Sequence, residues 1–108
     1  MTIVNLTPHS LTLHGESGSI TVAPSGNTAR LAVSRVLVGT LALEGITLTI
    51  VRPTMGEITG LPDPVEGTVY VVSAMVAEKA KRADVLAPGE LVRDSAGNVV
   101  GAKGLTTY

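Results

Sequence analysis

A chain of 108 residues with net charge −1, 16% charged residues and no Cys lacks the electrostatic footprint of a polymeric nucleic-acid binder, and excludes disulfide and thiol chemistry. Its length predicts one domain spanning 1–108, long enough to bury a core without staples. The apolar fraction is 44%, with no Phe, no Trp and only two Tyr, so the core is aliphatic and β-branched, a composition that favours sheet over helix.

Thr2 to Leu6 reads as a short strand ended by the turn Thr7-Pro8-His9-Ser10. Leu11 to His14 and Ser19 to Val22 flank Gly15-Glu16-Ser17-Gly18 and form a hairpin. After the turn Ala23 to Asn27 comes Thr28 to Val33, and then strands Val36 to Leu43 and Ile46 to Val51 around Glu44-Gly45, a second hairpin. Ile46, Leu48 and Ile50 alternate with Thr47, Thr49 and Val51, the period of a strand with one face buried. Arg52-Pro53-Thr54-Met55-Gly56 is expected to break the sheet. Residues 57–64, with Pro62 and Pro64, then form a short bridge and an extended loop.

Gly67 opens the strand Thr68 to Val72. Ser73 stands at a helix N-cap, its hydroxyl able to accept an amide of the first turn, and the helix runs over about 73–82. Lys79, Lys81 and Arg82 cluster towards its end, favourable against the helix dipole. A Pro88-Gly89 turn leads to a terminal hairpin, Glu90 to Arg93 with Asn98 to Ala102. Its loop Asp94-Ser95-Ala96-Gly97 suits a type I turn with glycine in the left-handed position. The expected fold is α+β: a mainly antiparallel β-sheet with one short helix and a C-terminal hairpin, not a βαβ repeat.

Chemistry is sparse. His9 and His14, with Glu16, match no metal-ligand spacing, and the expectation is no metal. No Gly-x-Ser-x-Gly elbow occurs and the carboxylates are scattered, so the chain is not expected to be an enzyme. The first residues are not those of a signal peptide, no run approaches a membrane span, and Asn5-Leu6-Thr7 is a sequon without a secretory context. Five arginines, Arg30, Arg35, Arg52, Arg82 and Arg93, sit at or beside element boundaries in a chain poor in charge. Each suits a bidentate phosphate contact or an ion pair, Arg82 being two residues before Asp84 and Arg93 next to Asp94. Tyr70 is either core filler or a platform on which a base stacks.

Several strings together carry a resemblance: Asn5-Leu6-Thr7-Pro8-His9, Pro24-Ser25-Gly26 with Ala29-Arg30, Gly56-Glu57-Ile58-Thr59-Gly60-Leu61-Pro62, and Val69 to Ser73 with Val76-Ala77. Arg82, Asp84-Val85, Pro88-Gly89 and Val92-Arg93-Asp94 with Gly97-Asn98 complete the set. Over nearly its whole length the chain resembles small proteins of bacteriophages and prophages, and it is similar to the Thoeris anti-defense sponge family of the first type described. The resemblance implies a non-enzymatic protein of the host cytoplasm, without cofactor. Such a protein sequesters a cyclic ADP-ribose isomer, and in some members cyclic oligonucleotides, in pockets where protomers of a homo-oligomer meet. It implies ligand contacts from Arg30, Arg82 and Arg93, a ring from Tyr70 and a polar contact from Asn98. The chain departs from the family in having no Phe and no Pro-Asn before Arg82. The alternative is a phage structural or assembly accessory protein whose arginines form surface ion pairs.

Overall fold

The computed structural model describes residues 1–108. It contains β1 (Thr2–Asn5), β2 (Leu11–His14), β3 (Ser19–Val22), β4 (Arg30–Leu43), β5 (Ile46–Thr59), β6 (Thr68–Val71), α1 (Ala74–Ala80), β7 (Val85–Arg93) and β8 (Val99–Thr106). Six strands form one sheet in the order β1-β6-β7-β8-β2-β3, and β4 with β5 forms a separate two-stranded ribbon. The fold is α+β. Antiparallel registers join β2 to β3, β4 to β5 and β7 to β8, and carry most of the paired residues. The main sheet is nonetheless mixed: β1 and β7 both run parallel to β6, and β2 runs parallel to β8. One βαβ unit, β6-α1-β7, therefore sits in the expected antiparallel frame, because adjacent parallel strands need a crossover and a helix supplies it.

The helix is short and well punctuated. Ser73 Oγ accepts the N–H of Val76 at 3.4 Å, and Lys81, in the left-handed region at φ 49°, donates its N–H to the Ala77 carbonyl. The helix thus ends earlier than its basic cluster suggested. Lys79 lies in the last turn, Lys81 is the cap, and Arg82 lies outside. Val76 and Ala77 are its buried residues. They pack with Leu6, Ala29, Tyr70, Val72, Val85 and Ala87 into one core. Burying each Val is worth roughly 1.5–3 kcal/mol, so this aliphatic layer supplies most of the cohesion available here.

Four expectations fail at prolines and turns. β4 is one continuous strand from Arg30, not two, and β5 runs straight through Pro53, which pairs with Arg35. A proline excludes a central strand, but in a two-stranded ribbon each strand has an open edge where the missing N–H costs nothing. Residues 57–59, expected as a bridge leading to a loop, are the end of the same strand. Pro88-Gly89 likewise lies inside β7, with Pro88 opposite Leu105. β6 pairs with β7 only at Val85 and Leu86, so beyond them one edge of β7 is open.

The ribbon leaves the body of the molecule. The radius of gyration is 17.8 Å, against roughly 13 Å for a compact chain of this length, and the longest dimension is 57 Å. The Ile46, Leu48 and Ile50 face, patterned as half buried, is exposed.

The terminal hairpin is as its sequence demands. Asp94 Oδ1 accepts the amides of Ala96 and Asn98 at 2.9 and 3.0 Å, the Gly97 amide donates to the Asp94 carbonyl at 3.0 Å, and Gly97 takes φ 85°. Gly101 is required for a different reason. A Cβ there would meet His14 Nε2 at 2.6 Å and the Thr12 carbonyl oxygen at 2.7 Å, so only glycine lets β8 lie this close to β2.

Candidate functional site

The site is built around Asn5, which the sequence marks as a sequon and as the first residue of the Asn-Leu-Thr-Pro-His string. Asn5 is buried, and every polar position of its amide is used. Nδ2 donates to the carbonyls of His9 at 2.8 Å and Val22 at 3.0 Å; Oδ1 accepts the Thr7 amide at 2.9 Å and the Thr7 hydroxyl at 2.6 Å. An amide so enclosed presents no nitrogen for glycosylation. The Asn-Leu-Thr-Pro-His string is thus a local clamp, an Asx-type turn held also by a β3 carbonyl. Asn followed two residues later by Thr, with Pro next, is the signal that marks it.

The clamp places Leu6-Thr7-Pro8 against the root of the ribbon. The Leu6 N–H donates to the Val71 carbonyl at 2.9 Å and its carbonyl accepts from Ala29 at 3.0 Å. Between this turn, Thr28 to Leu31 and the start of α1 lies a cavity of about 300 Å³, lined by Leu6, Pro8, Thr28, Arg30, Ser73 and Met75 among others. That is the lower end of the size range for small-molecule sites, and mixed apolar walls with few polar groups are typical of them. Ser73 is committed to capping α1.

Arg30 is the cation of this cavity. Its side chain is exposed at the first rung of the ribbon, opposite Thr59, and makes no hydrogen bond or ion pair within the chain. An unpaired guanidinium beside an apolar wall can take a phosphate or carboxylate bidentately, with the rest of the ligand against the aliphatic lining.

The other expected residues are elsewhere. Tyr70 is 4% exposed, packed in the core, with its hydroxyl donating to the Asp63 carbonyl at 3.4 Å. A ring enclosed on both faces is core filler and offers no surface for stacking a base. Arg82 forms a two-pronged pair with Asp84, Nε to Oδ1 at 3.0 Å and Nη2 to Oδ2 at 2.6 Å, and gives a third bond to the Pro62 carbonyl at 3.1 Å. That hydrogen bond holds the Asp84 carboxyl below the usual carboxylate range and raises the Arg82 guanidinium in turn. Arg93 donates to the Gly97 carbonyl at 2.9 Å and closes the terminal turn, with Asn98 exposed in the same hairpin. No cavity is lined by Arg30 together with any of Tyr70, Arg82, Arg93 or Asn98. Within one chain these five residues do not converge.

Comparison with family models, curated proteins and solved structures returned no match. The cavity must be read from its own chemistry. It supplies one unpaired cation, apolar walls and no positioned acid–base pair. No group of three His, Asp or Glu residues comes together anywhere in the chain. The arrangement can hold an anionic small molecule.

Proposed function

We propose that this chain is a phage anti-defense sponge: it binds a nucleotide-derived immune second messenger, a cyclic ADP-ribose isomer or a cyclic oligonucleotide, and sequesters it without cleavage. It acts in the host cytoplasm as a homo-oligomer, lowering free signal so that the downstream effector stays off. The observation that carries this reading is the Arg30 cavity: a free guanidinium at the rim of an apolar pocket of about 300 Å³. No helix is long and apolar enough to cross a membrane. The resemblance in the Asn5 to His9 and Ala29-Arg30 strings agrees with this choice of site, since both strings meet at the cavity.

One set of observations favours the structural or assembly accessory reading. Arg82 and Arg93 are spent on the chain's own carboxylate and carbonyls, and Tyr70 is enclosed. A single assay separates the classes. The protein is incubated with cyclic ADP-ribose isomers, washed and heat-denatured, and the released material is analysed by mass spectrometry. Intact ligand is the expected result; altered ligand identifies an enzyme, and no binding leaves the accessory role. Arg30→Ala is expected to weaken binding about 10–100-fold, the loss of one charge-assisted contact, while Arg93→Ala binds as the parent does. Equal binding by Arg30→Ala removes the cavity as the site.

A further inference from the structure

The Arg30 cavity does not end at its apolar wall. Leu31 of β4 and Met75 of α1 are shared with a second cavity of about 400 Å³, which also takes in Met55 of β5 and Glu78, Lys79 and Lys81 from the end of α1. The geometry of α1 orders the two. Ser73 and Val76 at its start line the first cavity, and Glu78 and Lys79 at its end line the second. Met75 and Lys79 stand four residues apart and so on one face of the helix. The six steps from Ser73 to Lys79 cover about 9 Å at 1.5 Å per residue. Helix and ribbon root thus form one cleft with two ends, each end within the size range of a small-molecule site.

Both ends carry cations. Arg30, Lys79 and Lys81 are exposed and make no ion pair in the chain, and Glu78 is the one carboxylate that lines either cavity. The cleft is therefore net positive in a chain of net charge −1. The helix dipole accounts for a basic residue in the last turn. It does not account for Lys81, which holds φ 49° and ψ 44° at the cap, a conformation that a Cβ strains and that glycine usually fills. Strain kept by a non-glycine residue at the rim of a cavity points to its side chain as the reason for its place. Between the cations lie Leu31 and two methionines, Met55 and Met75, which are 46% and 47% exposed. A thioether chain on the surface is an adaptable apolar wall, suited to the face of a base.

We infer that the cleft is a two-ended site whose ligand is a cyclic dinucleotide, one phosphate on Arg30, the other on Lys79 and Lys81, and a base against Leu31 and Met75 between them. A diphosphate keeps its phosphorus atoms one bridging oxygen apart and is served by Arg30 alone. Two phosphates separated by a nucleoside reach from one end to the other. Of the two messenger classes in the proposed function, the cleft thus selects the phosphodiester-linked ring over the cyclic ADP-ribose isomer. The inference rests on the reading of the Arg30 cavity as an anion site.

Isothermal titration of the full chain tests it with two probes, 3′,3′-cyclic di-AMP and a cyclic ADP-ribose isomer. The dinucleotide is expected to bind at least about 10-fold more tightly, the gain of a second charge-assisted contact. Lys79→Gln with Lys81→Gln is expected to weaken the dinucleotide about 10–100-fold and to leave the cyclic ADP-ribose isomer within about 2-fold of the parent. Equal changes for both probes, or none for the dinucleotide, overturn the inference. Glu78→Gln removes the opposing carboxylate and is expected to tighten the dinucleotide about 2–3-fold; weaker binding overturns the placement of the second phosphate. Lys81→Gly separates a binding role from a structural one. Its thermal midpoint is expected to match or exceed that of the parent, because glycine relieves the cap, while its affinity for the dinucleotide falls. A lower midpoint with unchanged affinity assigns Lys81 to the fold and overturns its contact with phosphate. The two readings fail differently. Arg30→Ala that binds both probes as the parent does removes the Arg30 cavity and this inference with it. A parent that holds the cyclic ADP-ribose isomer through Arg30 but takes the dinucleotide no more tightly removes the second end alone.

Discussion

Val71 and Val85 in the main sheet are at most 1% exposed, whereas Val36, Val38 and Val51 in the ribbon are 46–52% exposed. Both sets lie in extended strands, and both occur among β-branched and aliphatic neighbours. What separates them is the second layer. β7 and the end of β6 have α1 against one face, held by Val76 and Ala77, while β4 and β5, beyond Leu31 and Ile58 at their root, have only each other. Residue type makes a strand; an opposing layer makes a core. Where the layer is missing, the same residue types stay in water.

That contrast can be broken at graded depth. The largest effect is expected at the clamp. Asn5→Ala strips four hydrogen bonds and leaves the partly buried Val22 carbonyl and Thr7 amide unpaired, costing about 4 kcal/mol in urea unfolding; a loss under about 1 kcal/mol means that water replaces the amide. Next comes a matched pair of valines. Val72→Ala opens a hole in the enclosed layer and costs about 2–3 kcal/mol. Val51→Ala on the ribbon leaves the amide protection of β6 and β7 within about 0.5 kcal/mol of the parent, measured by hydrogen exchange. Equal effects at the two sites would erase the distinction between the regions.

The smallest effect is electrostatic. Because the Arg82 hydrogen bond depresses the folded carboxyl of Asp84, its contribution is complete above the unfolded value of about 3.9 and disappears as pH falls through the folded one. The raised guanidinium of Arg82 loses its share only at alkaline pH beyond the unfolded arginine value, outside the working range. Both side chains are about one-quarter exposed, so the pair is worth about 1 kcal/mol. Stability measured from pH 6 downwards is expected to decline below about pH 4, and less steeply in Asp84→Asn. Identical slopes would show that the pair adds nothing.

Local chemistry was readable where a few neighbouring residues decide the outcome. Ser73 before an Ala-rich run gave the helix start, and Asp94 to Gly97 gave the terminal turn. Residues whose meaning depends on distant partners were not readable. Pro53 looked like a breaker because a proline excludes a central strand, and no local signal says that the strand has an open edge. Tyr70 is decided by Asp63 and the core around it. Asn5 acts through Val22, seventeen residues away. Of the five expected site residues, only Arg30 faces a cavity, and that cavity joins the turn after β1, the ribbon root and α1, segments that only the tertiary fold brings together.

The parallel pairing of β2 with β8 has a consequence for the order of events during synthesis. Leu13 is registered with Ala102, and β1 with β6 across more than sixty residues. β1 has no sheet neighbour, and β2 has only β3 beside it, until most of the polypeptide has left the ribosome, and contacts of such long sequence separation form slowly. The ribbon is local and closes on itself much sooner. With the β2–β3 hairpin, the ribbon is therefore the first structure open to the nascent chain, and crowded translation of this message exposes its apolar residues to other nascent copies before the body exists.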